Sequence, residues 1–167
     1  MVIQDLLELS ERLGQALQAK GWQLALAESC TGGMIAQSVT AIAGSSAWFD
    51  RGFVTYSNAA KTEMLAVPEA LIAEFGAVSE PVATAMAAGA LAQSRAHISG
   101  AVTGIAGPSG GSPHKPVGTV CFAWALREAE LPSTISVETR QFDGDRTQVR
   151  EQAAMYLLAG LLRLASH

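Results

Sequence analysis

A short, mostly apolar run, Trp22-Gln23-Leu24-Ala25-Leu26-Ala27, passes directly into Glu28-Ser29-Cys30-Thr31-Gly32-Gly33 and then into Met34-Ile35-Ala36-Gln37-Ser38-Val39. The first segment suits a buried strand, the last can continue as a helix, and a glycine pair between them permits a sharp turn. A strand, a glycine hinge and a helix in immediate succession point to an α/β arrangement, with the hinge at the carboxyl end of a strand. That hinge carries a hydroxyl, a thiol and a second hydroxyl. The first turn of a helix leaves backbone N–H groups unpaired. Thr31, Gly32 and Gly33 can therefore cradle a phosphate, or complete an oxyanion hole beside a Ser29 nucleophile. These residues do not choose between the two.

The rest of the chain alternates in the same way. Leu6, Leu9, Leu13, Ala16 and Leu17 recur at helical spacing before Gly21, which closes an amphipathic helix. After a turn at Ala43-Gly44-Ser45-Ser46 comes the β-prone Gly52-Phe53-Val54-Thr55-Tyr56, and Asn58 is placed to cap a helix holding Lys61 and Met64. Pro68 restarts helix over 69–75, and Ser79-Glu80-Pro81 opens an alanine-rich helix to about Arg95 whose small side chains allow close approach. A strand over 97–102, a glycine and proline loop over 104–116, strands over 117–125 and near 134–142, and a last helix capped by Asp145 complete the chain. Without repeats or linkers, residues 1–167 read as one domain, with a mixed sheet and helices on both faces.

Composition narrows the function classes. Apolar residues at 49% and charged residues at 16% argue against disorder and suit a well-buried, oligomeric protein. A net charge of -4 with scattered Lys and Arg argues against nucleic acid as a partner. No apolar stretch reaches the ~18 residues of a membrane span, and the acidic N-terminus is unlike a secretion signal, so a cytoplasmic protein is expected. Cys30 and Cys121 show neither metal-ligand spacing nor a disulfide framework.

Serine needs a base within hydrogen-bond reach to act as a nucleophile. His97, His114 and His167 fall at a strand start, in a loop and at the last residue, none well placed for Ser29. Lys61 is more promising, since it stands five residues after Tyr56, at the end of a strand. It would have to be held neutral by burial or neighbouring positive charge, with Tyr56 relaying a proton or fixing the amine. The plain alternative is a solvated Lys61 and a Tyr56 that fills a strand end. Gly107-Pro108-Ser109-Gly110-Gly111 has the form G-x-S-x-G, but no helix can readily follow in Ser112-Pro113-His114-Lys115-Pro116, so the segment reads as a lid or phosphate loop. Gly104 and Gly107 permit close approach to a ligand and equally permit an ordinary turn. Cys30 is a candidate thiolate or a small buried residue. Arg146 and Arg150 stand one helical turn apart, to meet an anion or simply to be solvated.

Taken together, Ala27-Glu28-Ser29-Cys30-Thr31-Gly32-Gly33, Gly44-Ser45-Ser46-Ala47-Trp48-Phe49, Gly52 to Asn58, Gly76-Ala77-Val78-Ser79-Glu80, Thr103-Gly104-Ile105-Ala106-Gly107-Pro108 and Lys115 to Val120 resemble the C-terminal domain of the CinA family over nearly the whole chain. The resemblance implies a three-layer α/β/α sandwich with a mixed five-stranded sheet, one strand antiparallel. It implies hydrolysis of the carboxamide of nicotinamide mononucleotide to nicotinate mononucleotide and ammonia. Ser29, Tyr56 and Lys61 then fall on the family's catalytic positions, and Ser46 and Thr103 sit in motifs that line the pocket. Thr31, Gly32 and Gly33 would hold the oxyanion, and Gly104, Gly107 and Arg146 the substrate phosphate. The implied scheme needs no metal or other cofactor, and a homodimer is expected. Ser109 departs from the aspartate frequent in relatives. A general serine–lysine amidase and a non-catalytic nucleotide sensor are the alternatives.

Overall fold

Five strands form one sheet in the computed structural model, which describes residues 2–128 and 134–167: β1 (Leu24–Glu28), β2 (Phe49–Val54), β3 (Ile98–Gly104), β4 (Thr119–Leu126) and β5 (Thr134–Gln141). Their order is β2-β1-β3-β4-β5. β1 pairs parallel with β2 and with β3, while β4 runs antiparallel to both of its neighbours, so one strand opposes the other four. The helices are α1 (Val2–Lys20), α2 (Met34–Thr40), α3 (Asn58–Leu65), α4 (Glu69–Phe75), α5 (Glu80–Ala92) and α6 (Arg146–Ala165).

The alternation of β1 explains the layers. Leu24 and Leu26 face α1, α2 and α6 in a core with Leu13, Leu17, Phe122, Trp124 and Leu157. Ala25 and Ala27 face the other way and meet Ala83, Met86, Ala87 and Ala90 of α5, joined by Ala101, Ala123 and Ala125 of the sheet. Small residues on both sides let α5 lie close, and Ser99 Oγ donates to Ala87 O at 2.8 Å. On the opposite face α6 approaches as closely. Trp124 Nε1 donates to Leu157 O at 3.0 Å, and a Cβ on Gly160 would sit 2.3 Å from the indole. Gly160→Ala should therefore destabilise the fold by about 1–3 kcal/mol even though alanine favours helix, a loss to be read from urea unfolding.

Some sequence boundaries shift. β1 starts at Leu24 because Trp22 N–H still donates to Leu17 O, completing the end of α1 around Gly21. β2 starts at Phe49, since Leu24 N–H donates to Trp48 O and draws the segment before Gly52 into the sheet. Ser57, not Asn58, caps α3: its backbone is extended and its Oγ accepts from Ala60 N–H at 3.0 Å. Asp145 caps α6 in a reciprocal capping box with Gln148.

Parallel β1, β2 and β3 bring their carboxyl ends to one edge of the sheet. From β1 the chain moves out to β2 and then crosses back over α3, α4 and α5 to β3. A crevice opens at such a reversal, beyond the ends of β1 and β3.

Candidate active site

Ser29 immediately follows β1, and its N–H donates to Val102 O at 3.1 Å, anchoring the turn to β3. Lys61 arrives from α3. Its Nζ lies 3.2 Å from Ser29 Oγ, 3.1 Å from Thr55 O and 3.2 Å from Tyr56 O. The side chain is only 1% exposed, and no carboxylate pairs with it among the described residues. Burial pushes the Lys61 pKa below its ordinary value, opposed weakly by the charge that Cys30 would carry as a thiolate. A neutral amine has two N–H donors and one lone pair. In that form the two backbone carbonyls would take the donors and leave the lone pair for the Ser29 hydroxyl.

Cys30 is in the opposite condition. Burial pushes its thiol up to about 12, against smaller lowering effects from its own backbone and from Arg150. It packs against Gly104, where a Cβ would meet Cys30 Sγ at 3.1 Å, and behaves as a small buried residue.

The glycine turn is built differently from the sequence expectation. Glu28, buried at the end of β1, turns its carboxylate into the start of α2. It accepts from Thr31 Oγ1 at 2.7 Å, Gly33 N–H at 3.2 Å, Ile35 N–H at 3.0 Å and Ala36 N–H at 2.9 Å. Gly32 N–H is taken by Ser29 O at 3.0 Å. The expected anion cradle at Thr31, Gly32 and Gly33 is thus filled by the protein's own carboxylate, and none of the three lines the crevice. Gly32 and Gly33 instead serve the turn through positive φ values of 59° and 106°. Neither Cys30 nor Thr31 donates its N–H to a backbone carbonyl of the described residues, and of the two only Cys30 lines the crevice.

The crevice has a volume of about 350 Å³, near the lower end of the ~300–1,000 Å³ of small-molecule sites. Ser29, Cys30 and Lys61 form its floor, Thr103 and Gly104 to Gly107 one wall, Ala77 and Val78 another, and Tyr56, Asn58, Ser109 and Arg146 the mouth. Thr103 is buried and its hydroxyl donates to Ala77 O at 2.9 Å, so it braces two walls. Arg146 Nη1 donates to Gly107 O at 2.8 Å and Nη2 to Tyr56 Oη at 3.2 Å, so Arg146 is engaged rather than merely solvated. Tyr56 meets Lys61 through its carbonyl, while its phenol, on a residue 61% exposed, turns out to Arg146. The phenolic relay to Lys61 is replaced by a main-chain contact. Ser46 is not in the crevice. It precedes β2, and the start of β2 pairs with the start of β1, a full strand length from Ser29. Among the described residues Lys61 and Arg146 are the charged groups of the lining, and no carboxylate faces the space. Among the described residues no group of three His, Cys, Asp or Glu side chains gathers to hold a metal ion, and no helix is long and apolar enough to cross a membrane.

Residues 6–165 match the CinA C-terminal domain. The chain belongs to the CinA family. It is 54% identical over 156 residues to the nicotinamide-nucleotide amidohydrolase PncC of Enterobacter agglomerans, covering 93% of each chain. It is 52% identical over 159 residues to a putative competence-damage inducible protein of Symbiobacterium thermophilum, of which that match spans 37%. The crystal structure of the competence/damage inducible protein CihA from Agrobacterium tumefaciens superposes with a TM-score of 0.90 at 46% identity, covering 96% of this chain and 95% of that one.

Two residues of this CinA domain escaped sequence reasoning. Glu28 was visible in the motif, and its position before a glycine hinge and a helix was the available signal for a carboxylate capping that helix. Asn58, assigned only to capping, lies at the mouth, where nothing in the spacing of polar residues marks it.

Proposed function

We propose that this protein hydrolyses the carboxamide of nicotinamide mononucleotide to nicotinate mononucleotide and ammonia, with Ser29 as nucleophile and Lys61 as base. The observation that carries the reading is a buried lysine with no carboxylate partner among the described residues, 3.2 Å from a serine hydroxyl, on the floor of a cationic crevice. The names of the PncC relatives support the substrate class.

Neutral Lys61 takes the Ser29 proton as Oγ attacks the amide carbon. The carbonyl oxygen becomes an oxyanion at the turn after Ser29, where Cys30 lines the crevice and offers its N–H. Lys61 returns the proton to the amide nitrogen, the C–N bond breaks, and ammonia leaves an acyl-enzyme. Water, deprotonated in turn by Lys61, cleaves the ester as Lys61 returns that proton to the departing Ser29 Oγ, and the acid product loses its proton to solvent and leaves as the carboxylate. Burial serves this cycle because it makes the amine cheap to keep neutral at the start.

Arg146 at the mouth, held by Gly107 O and the Tyr56 phenol, is oriented toward an anionic group entering the crevice, and the substrate phosphate fits that position. Ammonia release from the mononucleotide, from its riboside and from free nicotinamide tests the reading. The mononucleotide should be strongly preferred. Arg146→Gln should raise its KM about ten- to a hundredfold while changing the riboside little. Saturable binding of the mononucleotide without ammonia release would leave a nucleotide sensor, and equal turnover of all three would leave a general amidase.

A further inference from the structure

β5 ends the order of strands, so one side of it has no strand partner among the described residues. The register shows which groups that side presents. Ile105 N–H donates to Thr119 O, Arg127 N–H to His97 O and Phe142 N–H to Gly118 O. The odd-numbered residues of β4 therefore bond to β3 and the even-numbered ones to β5, so Ile135, Val137, Thr139 and Gln141 turn their N–H and C=O groups outward. At the opposite edge β2 is blunted: it is shorter, contains Gly52, lies against a register shift and commits Asp50 and Arg51 to the segment around Arg95. β5 runs for eight residues without proline, glycine, lysine or register shift. Its Glu138 and Arg140 are tied to the phenol of Tyr156 on α6, and its Val137 is an apolar side chain 36% exposed. On the other face α5, joined to β5 where Thr139 Oγ1 donates to Glu80, carries no charge from Pro81 to Ala92. A straight edge of this kind is a template for a further strand.

We propose that β5 pairs antiparallel with β5 of a second copy of this chain, about a twofold axis at Val137, which joins the two sheets into one. A strand set antiparallel to its own copy satisfies the outward groups of both at once, and the symmetry closes with two copies. Charge and shape select the axis. With the axis at Val137 the exposed valine meets itself, Ile135 meets Thr139 and Ser136 meets Glu138. β-Branched side chains then oppose one another on the face toward α5, and no like charges stand opposite. With the axis at Glu138 two carboxylates would face each other directly. With the axis at Thr139 each hydroxyl would carry a Glu80 carboxylate toward its copy. Axes nearer either end of β5 pair less of the strand. No residue of β5 lines the crevice, so the proposal stands apart from the reading of the serine–lysine site.

Sedimentation equilibrium over a range of concentrations, on wild type, Val137→Lys and Val137→Pro, tests the proposal. Wild type should be a dimer. Lysine would set two like charges on the axis, and proline deletes an outward N–H that the single chain does not use, so the monomer tolerates it at such an edge. Each substitution should weaken the dimer at least about a hundredfold, with thermal unfolding showing folded monomers. Cysteine substitution reads the register directly. In Val137→Cys the opposed Cα atoms would lie about 5.5 Å apart, within disulfide reach, whereas in Glu138→Cys they would stand diagonally at about 7–8 Å, outside it. Oxidation by diamide, which takes up the two thiol hydrogens as the S–S bond forms, should link Val137→Cys into a covalent dimer and leave Glu138→Cys unlinked. If Val137→Lys or Val137→Pro does not fold, the linkage in Val137→Cys decides alone. A monomeric wild type would overturn the proposal. A dimer that survives both substitutions would do the same, because another surface would hold it. Linkage through Glu138→Cys in place of Val137→Cys would overturn the axis at Val137.

Discussion

Ser29→Ala should lower ammonia release by at least about a thousandfold while leaving the affinity for nicotinamide mononucleotide nearly unchanged. The expectation follows from the neighbours of the hydroxyl. Lys61 Nζ is 3.2 Å away and has no other side chain among its hydrogen-bond partners, so without Ser29 it faces no nucleophile. The adjacent thiol is no substitute, since burial pushes Cys30 up to about 12 and leaves almost no thiolate at neutral pH. Cys30→Ala should accordingly keep activity within about fivefold of wild type, because it retains the backbone N–H and removes only a packed sulfur. Binding is measured by calorimetry and turnover by ammonia release on the same preparations. Substantial turnover in Ser29→Ala, or its collapse in Cys30→Ala with the fold intact, would move the nucleophile to the thiol.

Lys61→Arg and Lys61→Met should each cost about a thousandfold or more in kcat. Arginine keeps the positive charge but cannot give up its proton, and methionine keeps much of the volume with no amine. In wild type kcat/KM should rise with pH as the free enzyme passes through the lowered pKa of Lys61, since the neutral amine is the active form. That limb should be missing from the residual activity of both variants. Stability carries the same signature. With the folded pKa below the unfolded one, the unfolded chain binds more protons between the two values, so stability rises with pH across that window. Below the folded pKa the full cost of burying the ammonium remains. The stability of wild type relative to Lys61→Met should therefore improve as pH rises through the window, as urea unfolding at several pH values would show. A flat difference would mean that Lys61 is not perturbed by burial.

The order of elements, the hinge after β1, the caps at Ser79 and Asp145 and the alanine-rich α5 were legible because each rests on local rules: period, propensity and capping. The pairing of Lys61 with Ser29 was legible only in part. Thirty-two positions separate them, and nothing in local spacing reports whether a lysine is buried or solvated. The family motifs raised that pairing, and the same motifs also suggested Ser46 for the pocket. Strand polarity places Ser46 at the other end of the sheet, which residue type alone cannot show.

The turn after β1 draws the same line more sharply. Its glycines were readable because the two left-handed positions need glycine wherever the turn ends up. The partners of its amides and carbonyls were not. Glu28 occupies the N–H groups that the sequence offered to an anion, and Arg150, 120 residues away from Cys30 along the chain, occupies carbonyls that no local pattern connects to it. Backbone conformation is settled within a few residues by sterics, and so it can be read in order along the chain. Which polar group satisfies which is settled by whatever the packed sheet and helices bring within 3 Å or so. The hydroxyl, the amine and the glycines were present in the order of residues, whereas the approach of Lys61 to Ser29 and of Arg150 to the carbonyls of the turn came from the packing of α3 and α6 against the ends of the strands.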